Sequence, residues 1–275
     1  MLAKCVLHLY ASGHAETVCR YSEVPEHMIL ELDVGNTRIK WRQISASDGA
    51  CIAAGVVSDA EELLAVTELR QVPLMVRMCS VRGGDLNQQL QQWSADSYGL
   101  EIQTALVSAS CGGVSNQYAD PARLGIDRWL AMLAAFKRAA GPCVVIDGGT
   151  AFTVDVLNSH GQHRGGYIVP GLALMRGALE ANTRIRLSED NPEASRELGH
   201  STDDAVRNGT LSALLALIAR VAQSVSGPKS QAKLYFTGGD AELLHELAAI
   251  ESSEVVPSLV FDGLGIACPF EEKSQ

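Results

Sequence analysis

The stretch Met28-Ile29-Leu30-Glu31-Leu32-Asp33-Val34-Gly35-Asn36-Thr37-Arg38-Ile39-Lys40 decides the fold, because its pattern is written twice. The second writing is Cys143-Val144-Val145-Ile146-Asp147-Gly148-Gly149-Thr150, continued by Ala151–Leu157. In both, an apolar run of strand character ends in an aspartate. A glycine-containing turn with a threonine follows, and a second strand begins. Asp33 and Asp147 stand 114 positions apart in a chain of 275 residues. A repeat at that interval predicts two similarly built domains, not a solenoid of short units. One such hairpin carries little weight, since Asp and Gly are ordinary turn residues. Two of them, each after an apolar strand, carry more.

Outward from these hairpins the chain alternates strands and helices. Lys40–Ile44, Cys51–Val57, Leu74–Ser80 and Glu101–Val107 read as strands. Ser58-Asp59-Ala60-Glu61 reads as a capping box opening a helix through Glu62–Leu69. Asp85–Tyr98 reads as a helix closed by Gly99, and Pro121–Ala140 as a helix with an apolar face through Leu130, Leu133 and Phe136. Late in the chain, strand Lys233–Phe236 leads through Thr237-Gly238-Gly239-Asp240 into helix Ala241–Ala249, with Asp240 placed to cap it. Alternation of this kind is α/β. The expected division is an extension over residues 1–27, a first domain over 28–115 and a second over 116–275. Residues 1–27 show neither strand nor helix period, whereas a strand begins cleanly at Met28. The extension therefore reads as a flexible arm or the product of an upstream start. His8 and Tyr10 interrupt its apolar stretch and no small-residue cleavage site follows, which argues against a signal peptide.

Composition narrows the function. The formal net charge is −10, the wrong sign for displacing counterions from nucleic-acid phosphates. It leaves room for a small anionic ligand held by a few local donors. Seven scattered cysteines without a C-x-x-C pair suit reduced thiols in a cytoplasm better than a disulfide framework or a structural zinc site. No uninterrupted apolar run has membrane-spanning length, the longest candidates such as Leu211–Ala219 being short or amphipathic.

The hairpins suggest phosphate handling. A glycine-containing turn between strands presents backbone N–H groups to an anion with no Cβ in the way, here at Gly35 and Asn36. Thr37 and Thr150 add hydroxyl donors. A strand-end aspartate such as Asp33 suits Mg²⁺, held through water because Mg²⁺ dehydrates reluctantly. Lys40 is placed to neutralise a β- or γ-phosphate, although on its own it reads equally as a solvated strand residue. Gly238 and Gly239 set amides near a helix N-terminus, suited to a nucleotide's ribose or phosphates. There is neither a G-x-x-x-x-G-K-[ST] nor a G-x-G-x-x-G motif, so neither a P-loop nor a Rossmann site is supported. Asp127-Arg128 falls in an apolar stretch between Leu124 and Trp129-Leu130, where adjacent charges are either paired or used.

Five motifs in order resemble those of type III pantothenate kinases. They are Asp33–Lys40, Gly125-Ile126-Asp127-Arg128, Asp147–Asp155, Gly165–Gly171 with Asn182-Thr183 downstream, and Thr237–Asp240. The resemblance runs from Met28 nearly to the C-terminus. It implies the actin-like (ribonuclease H-like) fold of the acetate and sugar kinase, heat-shock chaperone and actin superfamily, with two domains, each a mixed sheet flanked by helices. It implies a homodimer that phosphorylates pantothenate with ATP to 4'-phosphopantothenate, the first step of coenzyme A biosynthesis. On that resemblance Asp127 is the general base, and Arg128 grips the pantothenate carboxylate. Gly125, Ile126, Tyr118 and Thr183 line the same pocket. Thr150 contacts ATP, and Asp147 holds a monovalent cation, K⁺ or NH₄⁺. Two rivals stay open: another small-molecule kinase of the superfold, and a transcriptional regulator like the Bvg accessory factors of the same family. Intact Asp33, Lys40, Asp127, Arg128 and Asp147 argue against a chain without catalysis.

Four further features read as structural or solvent-exposed. His160 and His163 read as exposed residues of a hairpin turn. His200–Asp204 reads as a helix N-terminus with acids in its first turn, and Trp41, Trp93 and Trp129 read as packing residues. Glu271-Glu272-Lys273 reads as a solvated tail.

Overall fold

The computed structural model describes residues 27–188, 194–225 and 232–271. Residues 1–26, and the reading given to them above, lie outside the described residues, as do Glu272 and Lys273. In chain order the elements begin with β1 (Met28–Val34), β2 (Ile39–Ser45), β3 (Cys51–Val57), α1 (Ala60–Ala65), β4 (Met75–Ser80), α2 (Asp85–Tyr98), β5 (Ile102–Thr104), β6 (Ser110–Cys111) and β7 (Val114–Ser115). They continue with α3 (Ile126–Ala139), β8 (Cys143–Gly148), β9 (Ala151–Leu157), β10 (His163–Pro170), α4 (Leu172–Asn182), α5 (Thr202–Val225), β11 (Lys233–Thr237), α6 (Ala241–Ala248), β12 (Ser253–Val255) and α7 (Leu259–Ala267). The α/β class expected from the sequence is the class observed.

Two compact units form. One gathers residues 27–112, 118–134 and 259–271; the other gathers 113–117 and the described residues of 135–258. Their sheets have one topology. The first runs β3-β2-β1-β4-β5 and the second β10-β9-β8-β11-β12. In each, three antiparallel strands are followed by two parallel ones. The actin-like fold is thus built from a duplicated sheet, and Asp33 and Asp147 end equivalent central strands.

In the first unit β1 is buried along its whole length, because both faces of the sheet are covered. Leu30, Leu32 and Val34 alternate onto one face and join Trp41, Leu63, Met78 and Leu90 in a core. The period of two sends Glu31 and Asp33 to the opposite face. There Glu31, fully buried, accepts from Arg42 and from Arg77. Arg42 also pairs with Asp262 of α7 at 3.2 Å, and Arg77 donates to the Cys268 carbonyl at 2.7 Å. These bonds tie the C-terminal helix to the sheet. A Cβ on Gly263 would lie 1.9 Å from the Leu130 carbonyl oxygen, so only glycine lets α7 approach α3 this closely.

The second unit packs Ile146, Phe152, Leu172, Leu214, Ile218 and Phe236 into its own core. Helix α5 corrects the expectation that no segment has spanning length: it has 24 residues, with mean hydropathy 1.3 over an 18-residue stretch, 44% of which is buried. Leu211, Leu214, Ile218 and Val221 face the core, and Asp203 and Asp204 stand in its first turn. It reads as the core helix of this unit.

Local departures from the sequence reading have simple causes. The helix expected over Pro121–Ala140 is a 3₁₀ turn, Pro121–Arg123, followed by α3. The break falls at Leu124-Gly125, which places Asp127 in the first turn of α3 and not in mid-helix. The capping box is shifted by one residue: Asp59 accepts from the Glu62 amide at 2.9 Å, and the Glu62 carboxylate accepts from the Ser58 amide at 2.8 Å. That helix stops at Ala65, and Thr67–Arg70 is a 3₁₀ turn. Strand β5 is three residues where seven were expected. Asp240 occupies the N-cap position of α6, but its side chain makes no capping bond. His163 is fully buried, not exposed, with Nε2 at 2.8 Å from Asp155 Oδ1. The turn closes at Asn158–Gly161, with Gly161 at φ +73, so His163 already belongs to β10 and points inward. His160 is exposed as expected.

Removing one partner from a buried ion cluster leaves uncompensated charge, at a cost of roughly 3–5 kcal/mol. Glu31→Gln is expected to lower unfolding free energy by about that much in a urea titration. Arg138→Ala breaks a pair whose side chains are 42% and 52% exposed and is expected to cost less than about 1 kcal/mol. Equal losses in the two variants would refute the assignment of Glu31 as the anchor of α7.

Candidate active site

In the first unit the sheet places three side chains side by side. Register pairs Asp33 with Lys40 on β2 and with Cys79 on β4. Asp33 is 9% exposed. Its Oδ1 accepts from the Cys79 thiol at 3.3 Å, and its Oδ2 lies 3.9 Å from Lys40 Nζ. Burial, the largest effect, pushes the Asp33 carboxyl up from the ordinary carboxylate range. Lys40 and the Cys79 thiol pull against it, and the charge of Asp127 adds to the rise. That last influence shows that Asp127 stands near enough to Asp33 for their charges to interact. Burial first, then the carboxylate of Asp33, push the Cys79 thiol well above its usual range, so it remains a donor.

Beyond Asp33 the chain turns tightly, the Gly35 amide donating to the Arg38 carbonyl at 3.0 Å. A Cβ on Gly35 would lie 3.2 Å from that oxygen. Asn36 and Thr37 are exposed at the turn, and Lys40 keeps 37% of its side chain accessible. The expected phosphate turn is therefore open to solvent on its outer side and anchored by a buried carboxylate on its inner side.

The Gly125–Arg128 motif has a steric logic. A Cβ on Gly125 would sit 2.7 Å from Asp127 Oδ1. That same oxygen accepts from the Arg128 amide at 2.7 Å, and the Gly125 carbonyl accepts from Trp129 at 3.0 Å to start the helical ladder. Asp127 thereby stands in the first turn of α3, where the exposed amides and the helix dipole favour an anion. Ile126 is half-buried beside it. Arg128 is 7% exposed; its Nη1 donates to the Tyr118 hydroxyl at 3.0 Å, and its guanidinium lies 5.9 Å from that ring's centre. The first unit thus brings together Asp33, Lys40, Asp127, Arg128 and Tyr118.

In the second unit Asp147 ends β8 in register with Thr237 of β11. The turn Gly148-Gly149-Thr150 docks on its neighbours through the backbone. The Gly148 carbonyl accepts from Asp240 and the Thr150 carbonyl from Gly171, both at 2.9 Å. A Cβ on Gly238, which has φ +91, would meet Asp147 Oδ1 at 2.3 Å and the Gly148 oxygen at 2.6 Å; one on Gly239 would meet nothing within 4 Å. Asp147 and Gly148 are therefore neighbours of Gly238, whereas Thr150 is turned by its backbone towards Gly171. Burial pushes the Asp240 carboxyl up against the pull of Arg176. Thr183 stands at the C-cap of α4, its hydroxyl donating to the Leu179 carbonyl at 2.6 Å.

The sequence reading missed Cys79, counted only among scattered thiols, although its place at the end of a strand neighbouring β1 was the available signal. It also missed Arg176 and Arg207, which interact with each other, and the interaction of Arg176 with Asp240; nothing in their local sequence marks them. Among the described residues, no group of three or more His, Cys, Asp or Glu side chains is placed to hold a metal ion.

Fold and site together define a nucleotide-handling protein of the actin-like class. Residues 29–224 match the family Type III pantothenate kinase. The type III pantothenate kinase of Ectopseudomonas mendocina is 42% identical over 249 residues, covering 88% of this chain and 99% of that one. Two solved structures share the fold at low identity. A Baf family transcriptional activator from Campylobacter jejuni, so described, is 20% identical with a TM-score of 0.55, covering 86% of this chain and 94% of its own. The ethanolamine utilization protein EutJ from Carboxydothermus hydrogenoformans is 16% identical with a TM-score of 0.50, covering 89% and 90%. The chain belongs to the type III pantothenate kinase family.

The Gly238 and Gly239 pair gives a matched test of the second turn. Gly238→Ala combines a strained positive φ with overlap against Asp147, and is expected to cost roughly 1–3 kcal/mol or more. Gly239→Ala meets open space and is expected within about 0.5 kcal/mol of the parent. Thermal melts of the two variants side by side decide the matter; indistinguishable midpoints would show that the tight packing at Gly238 is not required.

Proposed function

We propose that this chain transfers the terminal phosphoryl group of ATP to the terminal hydroxyl of pantothenate, giving 4'-phosphopantothenate for coenzyme A biosynthesis. The observation that carries the reading is the grouping of Asp33 and Lys40 with Asp127, Arg128 and Tyr118 in one unit, in a chain of this family. In the transfer, the pantothenate hydroxyl oxygen forms a bond to phosphorus as the bond from phosphorus to the ADP oxygen breaks. The hydroxyl proton passes to the Asp127 carboxylate. A loose transition state asks the protein mainly for positioning and charge neutralisation, and a carboxylate at a helix N-terminus suits the modest task of accepting one proton.

Arg128 grips the pantothenate carboxylate. It is buried, and its bond to the Tyr118 hydroxyl holds the guanidinium plane in place, which favours a bidentate anion over a point contact. Gly125 and Ile126 shape the same pocket. The 35–37 turn, the Thr37 hydroxyl and Lys40 bind phosphates of ATP. Of the second unit, Thr150, Gly238 and Gly239 are read as nucleotide-binding residues. Asp33 fits Mg²⁺ held through water, being a carboxylate at a strand end beside an exposed phosphate turn; bound there, the ion neutralises charge on the phosphate oxygens. Asp147 is the ligand for a monovalent cation, K⁺ or NH₄⁺, since it borders backbone carbonyls such as that of Gly148, which suit such an ion.

Two further features support the remaining parts of the reading. Strand β10 ends its sheet with Tyr167 and Ile168 45% and 61% exposed, and Leu174 of α4 is 49% exposed. An edge strand bearing exposed apolar residues calls for a cover, which supports a homodimer. The described cysteines are all free thiols, which supports a cytoplasmic setting. The regulator reading is not favoured, because nothing in regulation alone asks for this set of polar residues.

The experiment is kinetic. Asp127→Asn keeps shape but accepts no proton, and is expected to lower kcat roughly 10²–10⁴-fold with pantothenate still bound. Arg128→Gln is expected chiefly to raise KM for pantothenate. A folded Asp127→Asn enzyme with near-normal turnover would end the general-base role. Separately, replacing KCl by NaCl at constant ionic strength is expected to depress the rate; equal rates would remove the monovalent cation from Asp147.

A further inference from the structure

The two equivalent sheets allow a comparison that neither allows alone. In each, the central strand ends in an aspartate, and in each the parallel neighbour presents a residue with a hydrogen-bond donor in register with it. The pairs are Asp33 with Cys79 and Asp147 with Thr237. Both neighbours are buried, Cys79 fully and Thr237 to 2% exposure. The duplication thus preserves a small donor beside the strand-end carboxylate while the residue on the antiparallel side changes, being Lys40 in one sheet and Thr153 in the other.

In the first unit the donor's use is explicit. The Cys79 thiol donates to Oδ1 of Asp33 at 3.3 Å, while Oδ2 lies on the Lys40 side at 3.9 Å. A thiol in a core more often acts as a small apolar filler. Here it holds one oxygen of a carboxylate and leaves the other directed towards Lys40 and the phosphate turn. A carboxylate with one oxygen tethered has lost most of its freedom about χ2, and groups that orient a metal-binding carboxylate carry a large share of its effect.

We propose that Cys79 is a positioning residue: its thiol fixes Asp33 Oδ1 so that Oδ2 is presented to the hydrated Mg²⁺ of the nucleotide. The inference rests on the proposed role of Asp33 in holding Mg²⁺ through water. It predicts that what matters at position 79 is a donor of small size. Serine satisfies that requirement and alanine does not. Cys79→Ala leaves a buried carboxylate oxygen without its donor and frees the side chain to rotate.

The test measures binding without turnover, using full-length protein and the Mg²⁺ complex of a non-hydrolysable ATP analogue, titrated calorimetrically at several Mg²⁺ concentrations. Cys79→Ala, Cys79→Ser and Asp33→Asn are compared with the parent, each with its melting temperature. Cys79→Ala is expected to weaken Mg²⁺-dependent binding by roughly tenfold, with binding of the metal-free analogue unchanged. Cys79→Ser is expected to restore it to within about threefold of the parent. In steady state the KM for Mg²⁺ should follow the same order, with KM for pantothenate constant. A purely packing role makes the other forecast: melting temperatures fall in both Cys79 variants and the Mg²⁺ dependence of the folded protein does not move. That outcome, with Asp33→Asn still showing a loss, overturns the positioning role while the reading of Asp33 stands. If Asp33→Asn also leaves Mg²⁺-dependent binding intact, the metal role of Asp33 fails and the inference falls with it. Should Cys79→Ala fail to fold, parent-like Mg²⁺ dependence in Cys79→Ser beside a loss in Cys79→Val decides for the donor, and equal behaviour of Ser and Val decides against it.

Discussion

A carboxylate at the inner end of a fully covered strand is the constraint around which the first unit is arranged. Water cannot solvate Asp33 adequately at 9% exposure, and a buried charge without partners would simply take up a proton. The sheet answers with one neighbour on each side, Lys40 and Cys79, supplied by register alone. Two residues earlier on the same face, Glu31 meets the same difficulty and is answered by Arg42 and Arg77. One face of β1 is therefore polar in the middle of an apolar layer, and its two carboxylates differ in their relation to solvent. Glu31 is closed off by α7 and serves the fold. Asp33 borders an exposed turn.

That contrast explains why the C-terminal helix belongs to the first unit. Arg42 and Arg77, gathered by Glu31, have donors to spare, and α7 and the residues after it provide acceptors in Asp262 and the Cys268 carbonyl. Glycine at 263 removes the side chain that would keep α7 away from α3. The start of α3, carrying Asp127 and Arg128, is consequently fixed in the same unit as the 35–37 turn. A buried ion cluster of this kind adds little stability over a well-packed apolar one, but it admits few alternative arrangements.

Much of this was legible along the chain. The central strands announced themselves as apolar runs ended by aspartate and glycine, and Gly99 marked the end of α2, where it adopts φ +68. The duplicated hairpin identified the equivalent halves of the fold. What stayed hidden depends on partners distant in sequence. Nothing near His163 reveals Asp155 as its buried partner across the hairpin, and a histidine two residues past a turn glycine reads most simply as exposed. The apolar run through Leu124 and Trp129 conceals the break at Gly125, because hydrophobic period persists when the backbone does not. Cys79 could be seen as a strand residue, but its bond to Asp33 exists only once β4 is laid parallel to β1 in a definite register.

The two halves keep one topology and surround the strand-end aspartate differently. Each sheet retains the strand-end aspartate and a small donor in register on the parallel neighbour, while the other surroundings differ. Asp33 has the Lys40 ammonium group on its antiparallel side and an exposed turn beyond it. Asp147 has Thr153 in the equivalent place, carbonyl oxygens from its own turn, and Gly238 pressed against it. One duplicated strand end thus meets different neighbours in the two sheets, Lys40 and Cys79 around Asp33, Thr153 and Thr237 around Asp147.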